Sequence, residues 1–443
     1  MVQRARLDAP QVAVIGGGYA GMACAVELVR KGARVAVFER ASVMGGRARR
    51  VEKDGLSVDN GQHLLLGAYS ETQRLLRHVG VRPSVFHSAP LDLYYPGKFR
   101  LTAASLPAPL HLAVGLLRAQ GMDWSERRAC LRFIQHLKAQ RFRLPVHLTV
   151  SQLLDNATQP ERLRRFLWEP LCVAALNTPA AEASARVFAN VLRDTLAAGA
   201  SASELLIPKI DLSELFPVPA ARWLGRNGGQ VYVTEAITEI VPHGPRYRLE
   251  GDPVSARRFD HVVVATAPYH ATDLLAPFAA LAPLVASIQA LPYEPILTTY
   301  LQYDDSVRLP APMIGAEGGL AQWFFDRGQT GGPAGLIAAV ISARGPHLDI
   351  PKHEVELAIH NELETLLDRR LPPADSILTI TEKRATFACR PQLARPGVKT
   401  AQRGIWLAGD YVDGPYPATI EGAVRAGVGC AQAVAGATKN DQQ

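Results

Sequence analysis

Glycines near the start of the chain have the spacing of a phosphate-binding turn. Gly16, Gly18 and Gly21 fit the pattern G-x-G-x-x-G, and Glu39 follows them at the end of the next apolar run. The first glycine of such a pattern permits a tight turn, the second lets the backbone approach a pyrophosphate, and the third allows a helix to pack closely on a strand. The helix N-terminus binds the pyrophosphate, and the acidic residue binds ribose hydroxyls. The spacing therefore predicts a dinucleotide site.

The elements around these glycines come in the order that such a site requires. Residues 12–15 (VAVI) are a continuous apolar run, typical of a strand that is covered on both faces. A helical stretch follows, with Ala20 and Cys24 spaced to face the sheet, and a second strand-like run ends at Glu39. Strand, glycine turn, helix, strand and acidic residue together predict a Rossmann-type unit.

A second glycine motif follows directly and points to FAD. Residues 44–48 (MGGRA) include Gly46 and Arg47. They resemble the second glycine motif of the flavin amine oxidase and phytoene desaturase superfamily, whose backbone and arginine hold the FAD diphosphate. The resemblance implies FAD, bound non-covalently, rather than NAD, and it places Arg40 among the residues that bind the cofactor.

The end of the chain carries the matching half of this superfamily pattern. Residues 404–408 (GIWLA) are strand-like and lead into Gly409 and Asp410, the aspartate that contacts the ribityl chain of FAD in the superfamily. Residues 417–427 (PATIEGAVRAG) resemble the final helix of the family, and its N-terminus, at Thr419 and Ile420, is expected at the pyrimidine end of the flavin. A helix N-terminus there would stabilise negative charge on the reduced ring.

The pattern implies an α/β fold with a discontinuous cofactor domain. Strand-like residues 228–240 and 260–268 return to this domain, and by the family pattern Ile237 lies near the adenine. We expect a Rossmann-type FAD-binding domain from residues 1–80, 226–270 and 398–443. The sequence has no second G-x-G-x-x-G, which implies an external electron donor instead of a built-in nicotinamide domain.

The remaining segments, 81–225 and 271–397, predict an inserted substrate-binding domain of mixed helix and sheet. The first segment is helix-rich, and the second alternates strand-like runs with a helical stretch near 352–370. Trp323, Phe324 and Phe325 are candidate walls of a substrate tunnel, with packing inside a strand core as the alternative. An aromatic wall would also stabilise a cation.

Two further segments narrow the resemblance. Residues 59–69 (DNGQHLLLGAY) and 168–178 (WEPLCVAALNT) resemble the hydroxysqualene dehydroxylases of bacterial hopanoid synthesis. This resemblance covers essentially the whole chain, and it implies a triterpene substrate whose allylic hydroxyl is replaced by hydrogen, using reduced FAD. Gly61 and Gln62 are then expected at the cofactor. His63 is the candidate catalytic proton donor, with a hydrogen bond to cofactor or backbone as the alternative role.

A basic, amphipathic stretch lies in the first insert. Residues 106–117 are apolar but too short to span a membrane. The cations and apolar residues that follow are Arg127, Arg128, Arg132, Lys138, Arg141 and Arg143, among Leu131, Phe133, Ile134, Leu137 and Phe142. The region at about 104–143 therefore predicts monotopic helices with apolar residues in the membrane and cations on anionic headgroups. A surface helix packed on the core is the alternative.

Composition indicates a folded globular protein of two or three domains. Of the 443 residues 48% are hydrophobic and 20% are charged, and the net charge is +7. The sequence shows no nucleic-acid recognition motif and no metal-ligand spacing, so we expect neither partner. Five scattered cysteines predict buried, reduced thiols. Without a visible signal peptide or spanning run, the expected location is cytoplasmic, peripheral on the inner face of the cell membrane.

Three other functions stay open. A carotenoid-type desaturase shares the glycine motifs and isoprenoid substrates but uses the flavin oxidatively. An amine oxidase is less favoured, because Thr419 stands where that family typically has an aromatic residue, and Thr298 or Thr299 where it has a lysine. No cysteine near Tyr416 would attach a flavin covalently. A non-catalytic prenyl-lipid carrier would not need an intact flavin site.

Overall fold

The computed structural model describes residues 9–107, 110–197, 199–252 and 257–441. Residues 1–8 of the predicted cofactor domain lie outside the described residues, as do residues 108–109 of the predicted membrane-docking stretch.

The described part of the chain contains both strands and helices. The strands are β1 (Gln11–Ile15), β2 (Arg34–Glu39), β3 (Arg50–Lys53), β4 (Leu56–Asp59), β5 (Leu65–Leu66), β6 (Phe86–Ala89), β7 (Asp92–Tyr95), β8 (Phe99–Thr102), β9 (Leu205–Pro208), β10 (Gln230–Val233), β11 (Ala236–His243), β12 (Arg246–Asp252), β13 (Arg258–Phe259), β14 (His261–Val264), β15 (Tyr293–Gln302), β16 (Met313–Gly315), β17 (Trp323–Asp326), β18 (Leu336–Ser342), β19 (Ser376–Phe387) and β20 (Ile405–Leu407). The α-helices are α1 (Tyr19–Arg30), α2 (Ser70–His78), α3 (Leu110–Arg118), α4 (Trp124–Ala139), α5 (Val150–Asn156), α6 (Glu161–Leu163), α7 (Glu169–Leu176), α8 (Ala185–Leu192), α9 (Leu212–Leu215), α10 (Pro217–Arg226), α11 (Pro268–Leu275), α12 (Ala282–Gln289), α13 (Lys352–Leu367) and α14 (Ile420–Asp441).

A five-stranded parallel sheet forms the first layer, in the order β10-β2-β1-β14-β20. In β1, Val12 and Val14 belong to the hydrophobic cluster on one face, and Ala13 and Ile15 to the cluster on the other. Both faces are therefore covered, which explains the continuous apolar run in the sequence. The five strands come from three distant parts of the chain, and the predicted α/β class is confirmed.

Glycines set the distance between helices and sheet. Gly16 has φ +113°, in the region that favours glycine. A Cβ on Gly21 would lie 2.0 Å from the carbonyl oxygen of Gly16, so α1 sits directly against the turn. A Cβ on Gly427 would lie 2.2 Å from the carbonyl oxygen of Ala20. The final helix α14 is therefore packed backbone to backbone on α1.

The second layer is an antiparallel sheet in the order β16-β17-β18-β15-β19. Helix α13 covers one face, where Ile314, Phe324, Ile341 and Ile359 share a buried cluster. Because successive strand side chains point to opposite faces, the neighbours Trp323 and Phe325 belong to a different cluster. This second face looks toward the parallel sheet.

The first insert is helix-rich, as expected, but the predicted orientation of its basic helix is wrong. Phe133 and Leu137 of α4, and Phe142 beyond it, are buried in the main core. The ring of Phe133 packs edge-on against Trp168, with centroids 4.9 Å apart. The i, i+4 spacing of Phe133 and Leu137 places both on one helix face, and that face is occupied by the protein itself.

All five cysteines lie within the described ranges and are buried free thiols. In the described part of the chain, no helix has both the length and the apolar character needed to cross a membrane.

Candidate active site

A cavity of about 1040 Å³ lies between the two layers. Its walls come from the carboxyl ends of the parallel strands, from the second sheet and from helices of the first insert. The volume is at the upper end of the range of about 300–1,000 Å³ found for ligand sites. One group of lining residues consists of glycines and charged side chains and another of apolar side chains, so the cavity has a polar and an apolar end.

The polar end contains the predicted glycine cradle. Gly16, Gly18 and Gly46 line the cavity, and Gly18 pairs with Gly45 in an isolated parallel bridge. Helix α1 begins at Tyr19, and no side chain caps its N-terminus. Its first N–H groups are thus left for an anion, as in dinucleotide-binding proteins. Gly21 does not line the cavity but lies behind the turn, where it permits the close packing described above.

Glu39 is fixed at the end of β2 by backbone donors. One carboxylate oxygen accepts the N–H of Gly17 at 2.7 Å, and the other accepts the N–H of Ala41 at 2.8 Å. Glu39 and the exposed Arg40 both line the cavity. The remaining lone pairs of the carboxylate are available to ligand hydroxyls.

Arg47 and Asp410 meet at the centre of the polar end. Nη2 of Arg47 lies 2.5 Å from Oδ1 of Asp410, and Nη1 donates to the carbonyl oxygen of Ala385 at 2.7 Å. Burial acts to lower the pKa of Arg47, but the adjacent Asp410 carboxylate outweighs it, so the pKa is raised overall. The guanidinium therefore stays charged at the point where the sequence places a diphosphate.

The remaining wall of the polar end also suits a dinucleotide. The hydroxyl of Thr266 lines the cavity, is buried and has no partner among the described residues. Ile237 lines the cavity at the start of β11. Thr419 and Ile420 line it where α14 begins, and Thr419 Oγ1 accepts the N–H of Gly422 at 3.0 Å. The residues present thus fit a flavin dinucleotide, with a backbone cradle at one end and a helix N-terminus at the other.

His63 lines the cavity between Gln62 and Leu64 in the sequence. Its Nδ1 is 2.8 Å from the carbonyl oxygen of Gly61. Since a carbonyl only accepts, Nδ1 carries the hydrogen, and Nε2 has no hydrogen-bond partner in the described part of the chain. Burial lowers the pKa of His63, the bond to Gly61 opposes this, and the charge of Arg47 adds to the lowering. The imidazole is therefore uncharged at neutral pH. Gln62 lines the cavity beside it.

The other end of the cavity is apolar. Its walls include Leu64, Leu66, Leu91, Leu93, Leu171, Phe188, Val191, Leu192, Leu205, Ile296, Met313, Trp323, Phe325, Val340 and Ile380. Trp323 and Phe325, the candidate walls of a substrate tunnel, both line this cavity. The prediction for Phe324 is wrong, because strand alternation turns its side chain to the opposite face, under α13.

Several lining residues left no usable signal in the sequence. Asp194, Glu382 and Tyr416 reach the cavity from separate parts of the chain. None belongs to a motif with fixed spacing, and only the tertiary packing brings them together.

The segment 168–178 ties the first insert to the second sheet. Asn177 ends α7 in the left-handed conformation, φ +46°. Its Nδ2 donates to Thr386 Oγ1 at 2.9 Å, and its Oδ1 accepts the N–H of Ala343 at 2.8 Å. Both amide atoms are satisfied by the protein, so Asn177 positions the cavity wall.

Comparison with known proteins agrees with this geometry. Residues 19–435 match the family described as flavin containing amine oxidoreductase. Two proteins named hydroxysqualene dehydroxylase, from Rhodopseudomonas palustris and Sinorhizobium fredii, are 30% and 28% identical to this chain, and each alignment covers 94% of this chain and 96% of the relative. A crystal structure of an oxidoreductase from Methanosarcina mazei has a TM-score of 0.74 at 15% identity, over 96% of this chain and 99% of that one.

A more distant relative represents another reaction on isoprenoids. The zeta-carotene desaturase of Zea mays is 23% identical, over 94% of this chain and 82% of its own length. The similarity to both groups extends through the inserted domain.

Proposed function

Since the chain belongs to the flavin-containing amine oxidoreductase family, in the branch that includes the hydroxysqualene dehydroxylases, we propose that this FAD-dependent oxidoreductase reduces hydroxysqualene to squalene. The observation that carries the proposal is the continuity of the cavity. The glycine cradle and a set of apolar side chains line the same cavity, so a cofactor and a long hydrocarbon would share one site.

The chain's own groups would hold FAD at both ends. The backbone of Gly16, Gly18 and Gly46 and the N-terminus of α1 would bind the diphosphate, and Glu39 would bind a ribose. Asp410 would bind the ribityl chain. The N-terminus of α14 would face the flavin ring, where its partial positive charge of about +0.5 would favour the reduced form.

The reaction replaces a C–O bond by a C–H bond. The hydroxyl takes up a proton and leaves as water, and a hydride takes its place on the same carbon. Reduced FAD would supply that hydride, and an external electron donor would reduce the cofactor again. The apolar wall excludes water from the electron-deficient carbon, and the aromatic side chains of Trp323 and Phe325 stabilise positive charge there.

His63 is the candidate proton donor. It lines the cavity, and because Nδ1 is bonded to Gly61, Nε2 is the atom that would be available to a substrate hydroxyl. Because burial lowers its pKa, the protonated form is populated only at acidic pH. Proton donation by His63 therefore predicts a rate that rises as the pH falls.

The substrate would enter from a membrane. Four large hydrophobic side chains on and near α3 are each between 39% and 64% exposed, and we refer to them together as the apolar patch: Leu106, Leu110, Leu117 and Trp124. Arg118 and Arg128, in the same stretch of sequence, are also exposed. We infer that this patch, instead of the buried face of α4, inserts among lipids while the cations contact anionic headgroups.

The apolar patch is also close to the cavity. Helix α3 packs on β8, since a Cβ on Gly115 would lie 2.5 Å from the carbonyl oxygen of Thr102. Strand β8 pairs with β7, whose Leu93 lines the apolar chamber. A triterpene that entered from a bilayer beside α3 would avoid a costly transfer into water of about 0.8 kcal/mol per CH₂ group.

A carotenoid-type desaturase is the second candidate, supported by the relative from Zea mays. Incubation of the FAD-loaded protein with hydroxysqualene or zeta-carotene, each under reducing and oxidising conditions, separates the two. We expect squalene from hydroxysqualene with a reductant. Dehydrogenation of zeta-carotene under oxidising conditions, without squalene in the other arm, would support the desaturase instead.

A further inference from the structure

Two polar side chains interrupt the apolar chamber. The hydroxyl of Tyr416 donates a hydrogen bond to Oδ2 of Asp194 at 2.9 Å, and both residues line the cavity. Asp194 lies in a π-helical turn, Arg193–Ala197, that continues α8. Phe188, Val191 and Leu192 from α8 line the same wall. Tyr416 is buried and Asp194 is half-buried, so this wall presents a phenol and a carboxylate to a ligand in the cavity.

The pair is held in place from both sides. Arg193 contacts Oδ1 of Asp194 through Nε at 2.6 Å, and its Nη2 donates to Oδ2 at 3.1 Å. The backbone oxygen of Tyr416 accepts from Nη1 of the buried Arg395 at 3.2 Å. The ring of Tyr416 packs edge-on against Tyr69, with centroids 6.5 Å apart. These contacts fix the two oxygen-bearing groups relative to each other before a ligand arrives.

The geometry determines which ligand group the pair can recognise. The Tyr416 proton already points at Asp194, so the atoms left for a ligand are acceptors, namely the second lone pair of the phenol and the free lone pairs of the carboxylate. An alcohol O–H is a donor that matches them. A hydrocarbon offers no donor, and it would strip water from the carboxylate without replacing its hydrogen bonds.

We propose that Asp194 and Tyr416 bind the substrate hydroxyl and thereby select a hydroxylated isoprenoid over the corresponding hydrocarbon. The proposal rests on the proposed function, and it names the two residues that would determine substrate specificity. It also accounts for product release, because the product lacks the group that the pair binds. The same selection would disfavour carotenes, which are hydrocarbons.

The test compares affinities for hydroxysqualene and squalene in the FAD-loaded protein. Dissociation constants are measured from the change in flavin absorbance during titration, for the wild type and for Tyr416→Phe and Asp194→Leu. Tyr303→Phe is the matched control, because Tyr303 is also a buried tyrosine, its hydroxyl bonds His360 Nδ1 at 2.8 Å, and it does not line the cavity.

We expect the wild type to bind hydroxysqualene about tenfold or more tightly than squalene. Each cavity variant should lose most of that ratio by weakening hydroxysqualene alone, and Tyr303→Phe should keep it. Partial unfolding of a variant would reduce the number of binding sites, but it would not change the ratio of the two dissociation constants within one sample. A change in that ratio therefore reports on recognition of the hydroxyl and not on unfolding.

Two results would overturn the proposal, and they differ in meaning. If the wild type binds and converts hydroxysqualene but the cavity variants keep the ratio, or weaken both ligands equally, the hydroxyl site is elsewhere and the proposed function stands. If the wild type binds neither ligand, the proposed function fails and the hydroxyl site fails with it.

Discussion

Arg47 lies 2.5 Å from Asp410 and joins motifs from opposite ends of the chain. Arg47 belongs to the second glycine motif, and Asp410 follows the last strand of the parallel sheet. The Asp410 side chain is 9% exposed and that of Arg47 26%, so the contact is mostly shielded from water. The ion pair closes the polar end of the cavity and presents one charge of each sign to a bound dinucleotide.

Removal of Arg47 should destabilise the protein and weaken cofactor binding together. Arg47→Met keeps the length of the side chain but leaves the Asp410 carboxylate buried without its partner, which costs roughly 3 kcal/mol. We expect this loss in the free energy of unfolding of the apoprotein, measured in urea, and an increase of at least about tenfold in the Kd for FAD. Arg246→Met removes an exposed partner of Asp260 and should cost about 1 kcal/mol or less.

The double variant makes this prediction specific to the pair. Arg47→Met combined with Asp410→Asn should cost less than the sum of the two single changes, because each single change already breaks the same contact. Additive costs would show that the two residues act independently.

His63→Ala should leave a folded, yellow protein whose turnover is reduced about a hundredfold or more, the range for loss of a general acid. In the wild type, turnover should fall as the pH rises through the lowered pKa of His63, because the protonated donor is lost. The variant should lack this dependence. His353→Ala, at an exposed position on α13, serves as the control and should retain wild-type turnover. Unchanged turnover of His63→Ala would remove this residue from the mechanism.

Asp59 should make stability depend on pH. Burial raises its pKa from 3.8 to about 7, against the opposing hydrogen bond from the N–H of Leu212. Between these values the folded protein holds a proton that the unfolded chain has released, so the free energy of unfolding falls as the pH rises from about 4 to 7. The decrease in the free energy of unfolding should amount to a few kcal/mol. It should end once the pH exceeds the pKa that Asp59 has in the folded protein.

The variant Asp59→Asn isolates this contribution. Urea unfolding at pH 5 and pH 7.5 should show a smaller decrease in stability for the variant than for the wild type. An identical decrease in both proteins would mean that other groups cause the pH dependence.

The apolar patch should bind anionic membranes. Leu110→Ser and Leu117→Ser should each lower several-fold the fraction of protein that sediments with vesicles containing phosphatidylglycerol, since each removes apolar area that lipid would cover. Leu357→Ser is the matched control, because Leu357 is 60% exposed on α13, at a distance in sequence from the patch. Binding should weaken with added salt. Equal losses for Leu357→Ser and the patch variants would contradict the assignment.

The cofactor half could be predicted from the sequence because its constraints act on the backbone. Gly16 has a positive φ, and a Cβ on Gly21 would clash with the backbone, so both positions require glycine. Their spacing is therefore visible in the local sequence. The two chain ends converge because each motif follows a parallel strand, and the carboxyl ends of parallel strands meet at one edge of a sheet.

The substrate half could be predicted only in outline. The alternation from Trp323 to Phe325 follows from the strand period, but which face meets the cavity depends on where α13 packs. The burial of Phe133 could not be predicted either, because it depends on Trp168, which packs against that face of α4 in the folded protein. Asp194 and Tyr416 meet across more than two hundred residues, a contact that no local spacing encodes.

A single-turnover reaction tests whether the reduced flavin delivers its hydride to the hydroxylated substrate. The FAD-loaded protein is reduced, freed of excess reductant and mixed with hydroxysqualene in the absence of oxygen, while the flavin absorbance is followed and the lipids are extracted. We expect the flavin to become oxidised as an equal amount of squalene forms, since one hydride leaves for each hydroxyl replaced. A flavin that stays reduced while hydroxysqualene is recovered unchanged would contradict this expectation.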